Sequence, residues 1–458
     1  MAHRSSSGAH RLVILGFIGL YVLVQLALGA WVARQVHSDE DYLVAGRRLG
    51  PALATASMFA TWFGAETCVG AAGEAYAEGL GGVAADPFGY GLTLVFFGLF
   101  VAQPLWRMRC TTIADLYGQR YSAGVERTVA LLMVPGSLFW AAAQLRAFGT
   151  VVGSSTELLD AQSGLLIAAV VTIAYTSLGG LLADAWTDLL QGTVLVLTLI
   201  VLAVVALSTE IPPEPVLASP REVPTTLARL EAWTVPILGS LFAQELAARA
   251  SASRSEPLAR RAAVGGGLLY LAVGVIPVGL GLLARRQLPG LEVSEAALPA
   301  LSRLHLGSVG QVILSGALVS AILSTIDSAL LAASGLVTHN LLPSWKTGRG
   351  RLLGARLGVI ALGLVAWALA RGAESVHGLV EEASAFGSAG FVVVGLGALW
   401  GGRRHASVAY ATLAVGALSY VLAGPVLDAE APFVLSLLAA AGCYGVGQLI
   451  SSMRPSPS

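Results

Sequence analysis

Apolar residues in this chain fall into long runs separated by short polar joints. A helix needs about 20 such residues to cross a hydrocarbon core. The pattern predicts spans at Leu12–Ala33, Ala54–Gly73, Phe88–Trp106, Thr128–Ser154 and Gly164–Tyr175, and a further span ending at Leu207. It continues with Leu230–Ala250, Ala262–Leu283, Val309–Leu341, Leu353–Ala370, Leu379–Trp400, Val408–Ala423 and Phe433–Ser451. The expected fold is therefore all-α and polytopic, with about 13 transmembrane helices.

One run breaks the pattern at its centre. Ala54–Gly73 carries Trp62 and Phe63, then Gly64, then the acid Glu66. Hydrocarbon cannot hydrogen-bond a freed carbonyl, so irregular backbone at that depth survives only where it lines a cavity or binds something. The expectation is that this span opens over Thr61 to Ala65 and that its carbonyls hold a cation. Leu230–Ala250, five spans later, has Pro236 and the pair Gly239-Ser240 at its middle. Two interrupted spans at matching places point to two inverted five-helix repeats with a binding site between them. The repeats are placed at 50–207 and 230–400, with an extra helix at 12–33 and two more at 408–451, all in one transmembrane domain, 1–458. Pro236 read alone is equally well a kink, which membrane helices tolerate.

Composition narrows the partners. Charged residues are 12% of the chain and the formal net charge is zero, so no field draws it to nucleic acid. Cys68, Cys110 and Cys443 are far apart and suggest neither a disulfide framework nor a metal centre. Lys and Arg gather in the joints that share a side with Arg47, Arg48 and Arg107, which predicts an outside amino terminus and a cytoplasmic carboxyl terminus in the cell (plasma or inner) membrane. The expected partners are the bilayer, a small molecule and a cation, with no obligate protein partner.

The run Val309–Leu341 is unusually polar at mid-depth, with Ser324, Thr325, Asp327 and Ser328. Hard cations prefer oxygen ligands. Two hydroxyls plus a few carbonyls make a neutral cage suited to a monovalent ion bound reversibly. Hydroxyls in helices also commonly bond their own backbone, the plainer reading. Glu66 is read as facing the site, as a counter-charge or a proton site. Glu245 is read as a helical ion pair with Arg249, four residues on. Asp184 is read as a helix cap.

The segments DYLVAGRRLGPALATASMFATWFG, GGLLADAWTDLLQG and SAILSTIDSALL together resemble the sodium:solute symporter family, over about residues 41–400. The resemblance implies sodium-coupled import by alternating access on the inverted-repeat fold. It implies a sodium site made by the carbonyls of Ala60, Phe63 and Ala321 and the hydroxyls of Ser324 and Thr325. It places Asp188 on the inner cation route. Within the family, ATWFG, DPFGYGLTL and FWAAAQLRAFG resemble the high-affinity choline transporter branch, which implies an aromatic cage from Trp62, Tyr90 and Trp140. The branch's fourth Trp falls on Ala243, beside Gln244, with Phe242 the nearest ring. Substrate contact is thus expected from Trp62, Tyr90, Trp140, Phe242, Gln244 and Glu66, with an amine or quaternary ammonium such as choline as the solute. An amino acid or other polar solute, or a transport-inactive sensor on the same frame, stand as alternatives. No HExxH, GxxxxGK[ST] or GxSxG motif speaks for an enzyme.

Overall fold

The computed structural model describes residues 16, 19, 23–24, 27–64, 66–155, 160–209, 225–291, 293–342, 349–373, 388–400 and 405–453. The described residues are almost entirely helical. The chain begins with α1 (Asp39–Val44), α2 (Pro51–Ala60), α3 (Ala72–Glu78), α4 (Tyr90–Phe96), α5 (Ile113–Arg120) and α6 (Ala123–Ser155). The middle holds α7 (Ala161–Leu207), α8 (Thr226–Thr234), α9 (Gln244–Ala252), α10 (Glu256–Gln287) and α11 (Ala297–Gly335). It closes with α12 (Arg349–Gly372), α13 (Ser388–Leu399), α14 (Ala406–Val421) and α15 (Pro432–Met453).

Local chemistry sets several boundaries. Ser38 and Asp41 form a reciprocal capping box at the start of α1, which satisfies two otherwise orphaned N–H groups. Pro51 opens α2, where a missing N–H costs nothing. Within α7 the chain turns at Gly180, with φ +59°. A Cβ there would lie 2.5 Å from the Tyr42 carbonyl oxygen, so the close approach requires glycine. Gly307 makes a similar turn in α11 at φ +64°, so the long apolar part of α11 starts next to the expected Val309.

Eight described helices are long and apolar enough to cross a membrane. The span holding α11 is the most enclosed, with 78% of its apolar window buried against 17% for α15. It packs on α7 and α6, which places the hydroxyl-rich stretch at the centre of the molecule.

Both expected interruptions are present. The regular helix of the first span ends at Ala60; a turn at residues 61–64 keeps the Thr61 N–H on the Ser57 carbonyl and the Phe63 N–H on the Phe59 carbonyl, and the chain resumes with a π-helical turn, Glu66–Ala71, that leads into α3. The second runs through α8 and a π-helical turn, Val235–Gly239, and then stops. Ala243 is extended at φ −60°, ψ 136° before α9 begins. Leu49 accepts from Arg254 N at 3.1 Å and donates to the Ala252 carbonyl at 3.0 Å. The start of the first span therefore lies beside the end of the second, and the two run in opposite directions. Of the expected span Leu379–Trp400, residues 379–387 lie outside the described residues, as does half of 12–33.

Candidate functional site

The first break faces α11. A Cβ placed on Gly64 would lie 3.4 Å from Thr325 Oγ1 and 3.5 Å from the Ala321 carbonyl oxygen. Among the described residues, no backbone N–H across the turn donates to the carbonyl of Ala60 or Phe63. Thr325 donates its hydroxyl proton to the Ala321 carbonyl at 3.1 Å, which leaves its lone pairs for another partner. The five atoms expected around sodium thus come from residues that are all 5% exposed or less. Aromatic packing fixes the break: Phe63 stacks on Phe59 with ring centroids 4.5 Å apart and meets Tyr270 edge-on at 5.3 Å.

Ser324 donates to Asp188, and so does Ser57, at 2.6 Å. Beside them lies a residue whose role sequence reasoning missed. Arg249, on α9, is 1% exposed. Its Nη2 donates to Asp184 at 2.6 Å, Asp188 at 3.1 Å and Ser328 Oγ at 2.7 Å, and its Nε to Ser57 Oγ at 2.8 Å. One guanidinium ties α2, α7, α9 and α11 together. Asp327 takes the hydroxyl of Tyr175 at 2.6 Å.

Two expectations are corrected here. Arg249 does not form an ion pair with Glu245; it donates only to that residue's backbone carbonyl, at 3.3 Å. Asp184 does not cap a helix; it lies one turn inside the helix after Gly180, as an ion-pair partner of Arg249. A signal did exist. Asp184, Asp188 and Asp327 are three acids within spans, and buried acids require a cation or hydrogen-bond donors.

Between the two breaks lies a cavity of about 130 Å³. Trp62, Tyr90 and Trp140 line it, as do Gln244 and Glu66. The Trp62 and Tyr90 rings are 5.4 Å apart and tilted by 57°. Phe242 does not line it. That ring is fully buried behind the break, edge-on to Tyr117 at 6.4 Å, and the cavity's fourth ring is Phe391. Gln244 is anchored, its Oε1 accepting from Ile113 N at 2.7 Å. Glu245 also faces the cavity, and among the described residues no Arg, Lys or His does. Asp86 stands behind Glu66, held by Thr67 Oγ1 at 2.8 Å and the Tyr270 hydroxyl at 3.1 Å.

A family model described as the Sodium:solute symporter family matches residues 42–211 and 218–416. The high-affinity choline transporter 1 of Drosophila melanogaster is 34% identical over 181 residues, 38% of this chain and 29% of that protein. The chain's match therefore spans under a third of that relative's length. The high-affinity proline transporter of Bacillus subtilis (strain 168) is 29% identical over 430 residues, 87% of this chain and 89% of that one. A solved Na+-coupled sialic acid symporter, substrate-bound and outward-open, superposes with a TM-score of 0.81 over 97% of this chain and 98% of the other, at 14% identity. That likeness is one of fold.

Proposed function

This chain belongs to the sodium:solute symporter family, a family of transporters that use sodium, and we propose that it imports a small organic cation, an amine or quaternary ammonium such as choline. The observation that carries the reading is the cavity itself, walled by Trp62, Tyr90, Trp140 and Phe391 and, among the described residues, free of basic side chains. The negative face of each ring attracts a desolvated cation by about 0.5–2 kcal/mol. Glu66 supplies a formal counter-charge.

In this reading sodium sits between the carbonyls of Ala60, Phe63 and Ala321 and the hydroxyls of Ser324 and Thr325. It bridges the broken span and α11. An ion that joins two elements shifts the conformational equilibrium by its differential affinity for the joined state, which here is the state that accepts solute from outside. Asp188 then receives the ion on its way inward. Residues 50–207 and 230–400 form the two inverted repeats that rock about the site, and the protein lies in the cell membrane with its amino terminus outside.

A second reading has one specific support, the near-full-length likeness to proline transporters. An amino acid's carboxylate would then have to bind backbone N–H groups exposed at the breaks, as half-helix ends can do.

Purified protein in proteoliposomes, with an imposed inward sodium gradient, tests the reading with labelled choline, betaine, proline and a sugar side by side. Sodium-dependent accumulation of choline or betaine is expected, and its loss when potassium replaces sodium. Accumulation of proline alone would overturn the cation assignment.

A further inference from the structure

The two breaks carry the same short pattern. Phe63-Gly64-Ala65-Glu66 begins within the first turn, and Phe242-Ala243-Gln244-Glu245 begins within the second. In each, a buried phenylalanine closes the break and a glutamate stands three residues on, in the first turn of the half-helix that resumes. The half that starts at Glu245 leads back to the Leu49 end of the molecule, while the half that starts at Glu66 leads away from Leu49. Both glutamates line the one cavity. They therefore enter it from half-helices that leave in opposite directions, one toward each end.

Among the described residues, neither carboxylate has an ion-pair partner, and the hydrogen bond to Glu245 comes from its own backbone N–H. The basic group nearest Glu245 in the chain is Arg249, whose guanidinium is engaged by Asp184 and Asp188. A half-helix N-terminus favours an anion, but this offsets only part of the cost of two carboxylates in a space whose described lining carries no base. A single ammonium would satisfy one of them and leave the other. The wall between them is aromatic, which suits a methylene stem or a cationic head, and the small Ala243 leaves room beside Glu245.

We propose that this cavity takes a small dication, a linear molecule with an amine at each end, one held at Glu66 and the other at Glu245, its stem against Trp62, Tyr90 and Trp140. The inference rests on the reading of the protein as a sodium-coupled carrier of organic cations and narrows its substrate class.

Binding by purified protein in lipid nanodiscs, followed by tryptophan fluorescence with sodium present or replaced by potassium, tests it. The probes are putrescine, n-butylamine, choline and proline. Putrescine should bind in sodium at least about tenfold more tightly than n-butylamine, which has the same stem and one amine. Glu66→Gln and Glu245→Gln should each erase that advantage, with thermal unfolding showing that each variant is folded. Sodium-dependent binding of choline or n-butylamine with no gain for putrescine would overturn the dication and leave the cation carrier standing. Sodium-dependent binding of proline and of no amine would overturn both.

Discussion

Two polar regions meet at Ser324, and they are built on opposite principles. Toward the first break, the hydroxyl of Thr325 and the carbonyl of Ala321 are neutral oxygens that face Gly64 at contact distance, with Ser324 next to them in the chain. Toward α7, one turn away, Asp184 and Asp188 hold the fixed guanidinium of Arg249. The neutral region contains no permanent cation; the charged region carries its own. Neutral oxygens suit the proposed sodium site, where an ion would be bound and released in every cycle, because a buried ion pair is costly to break. Asp188 touches both regions, through Ser324 and Arg249.

Removing the cation of the charged region should have the largest effect. Arg249→Met leaves at least two carboxylates uncompensated in the interior, and breaking a buried pair this way costs about 3–5 kcal/mol. Denaturant unfolding in detergent should show that loss, and adding Asp184→Asn and Asp188→Asn should restore much of it. A stable single variant would mean that Arg249 does not neutralise these acids.

Next comes the neutral region. Ser324→Ala with Thr325→Ala removes two oxygens, and the sodium concentration for half-maximal uptake should rise by about 100-fold or uptake should vanish. Unfolding stability should fall far less than with Arg249→Met. Equal destabilisation by the two changes would erase the distinction between the regions.

The amino-acid sequence carried much of this distinction, though not all of it. The apolar runs gave the spans because hydrocarbon thickness fixes their length, and Gly64 with Glu66 at mid-span marked the break because neither suits lipid. Ser324 and Thr325 stood out for the same reason. Arg249 was misread because Glu245 lies at helical spacing and offers a local partner, whereas its true partners lie 61 and 65 residues earlier in the chain. Phe242 was misplaced because helical phase is lost across an interruption. With Ala243 extended, the 3.6-residue period no longer tells which ring turns inward, and Phe391 occupies the wall instead.

Smaller effects sharpen the picture at the cavity. Trp62→Ala removes one ring face, so the KM of the transported cation should rise by about 2- to 30-fold with sodium dependence intact. An unchanged KM would place the solute elsewhere. Gly64→Ala should be the mildest. Its methyl would rest in ordinary contact with Thr325 Oγ1 and Ala321, so folding should hold while sodium affinity falls by about threefold, under 1 kcal/mol. A drop in stability with unchanged sodium affinity would mean that this gap is only a packing contact.

Equilibrium binding of radioactive sodium to the purified protein, with no solute present, tests the centre of the account most directly. The protein with its native residues should bind sodium saturably, and Ser324→Ala with Thr325→Ala, confirmed folded by its thermal unfolding, should show no saturable binding. Undiminished sodium binding by the folded double variant would contradict the claim that the ion sits between the broken span and α11.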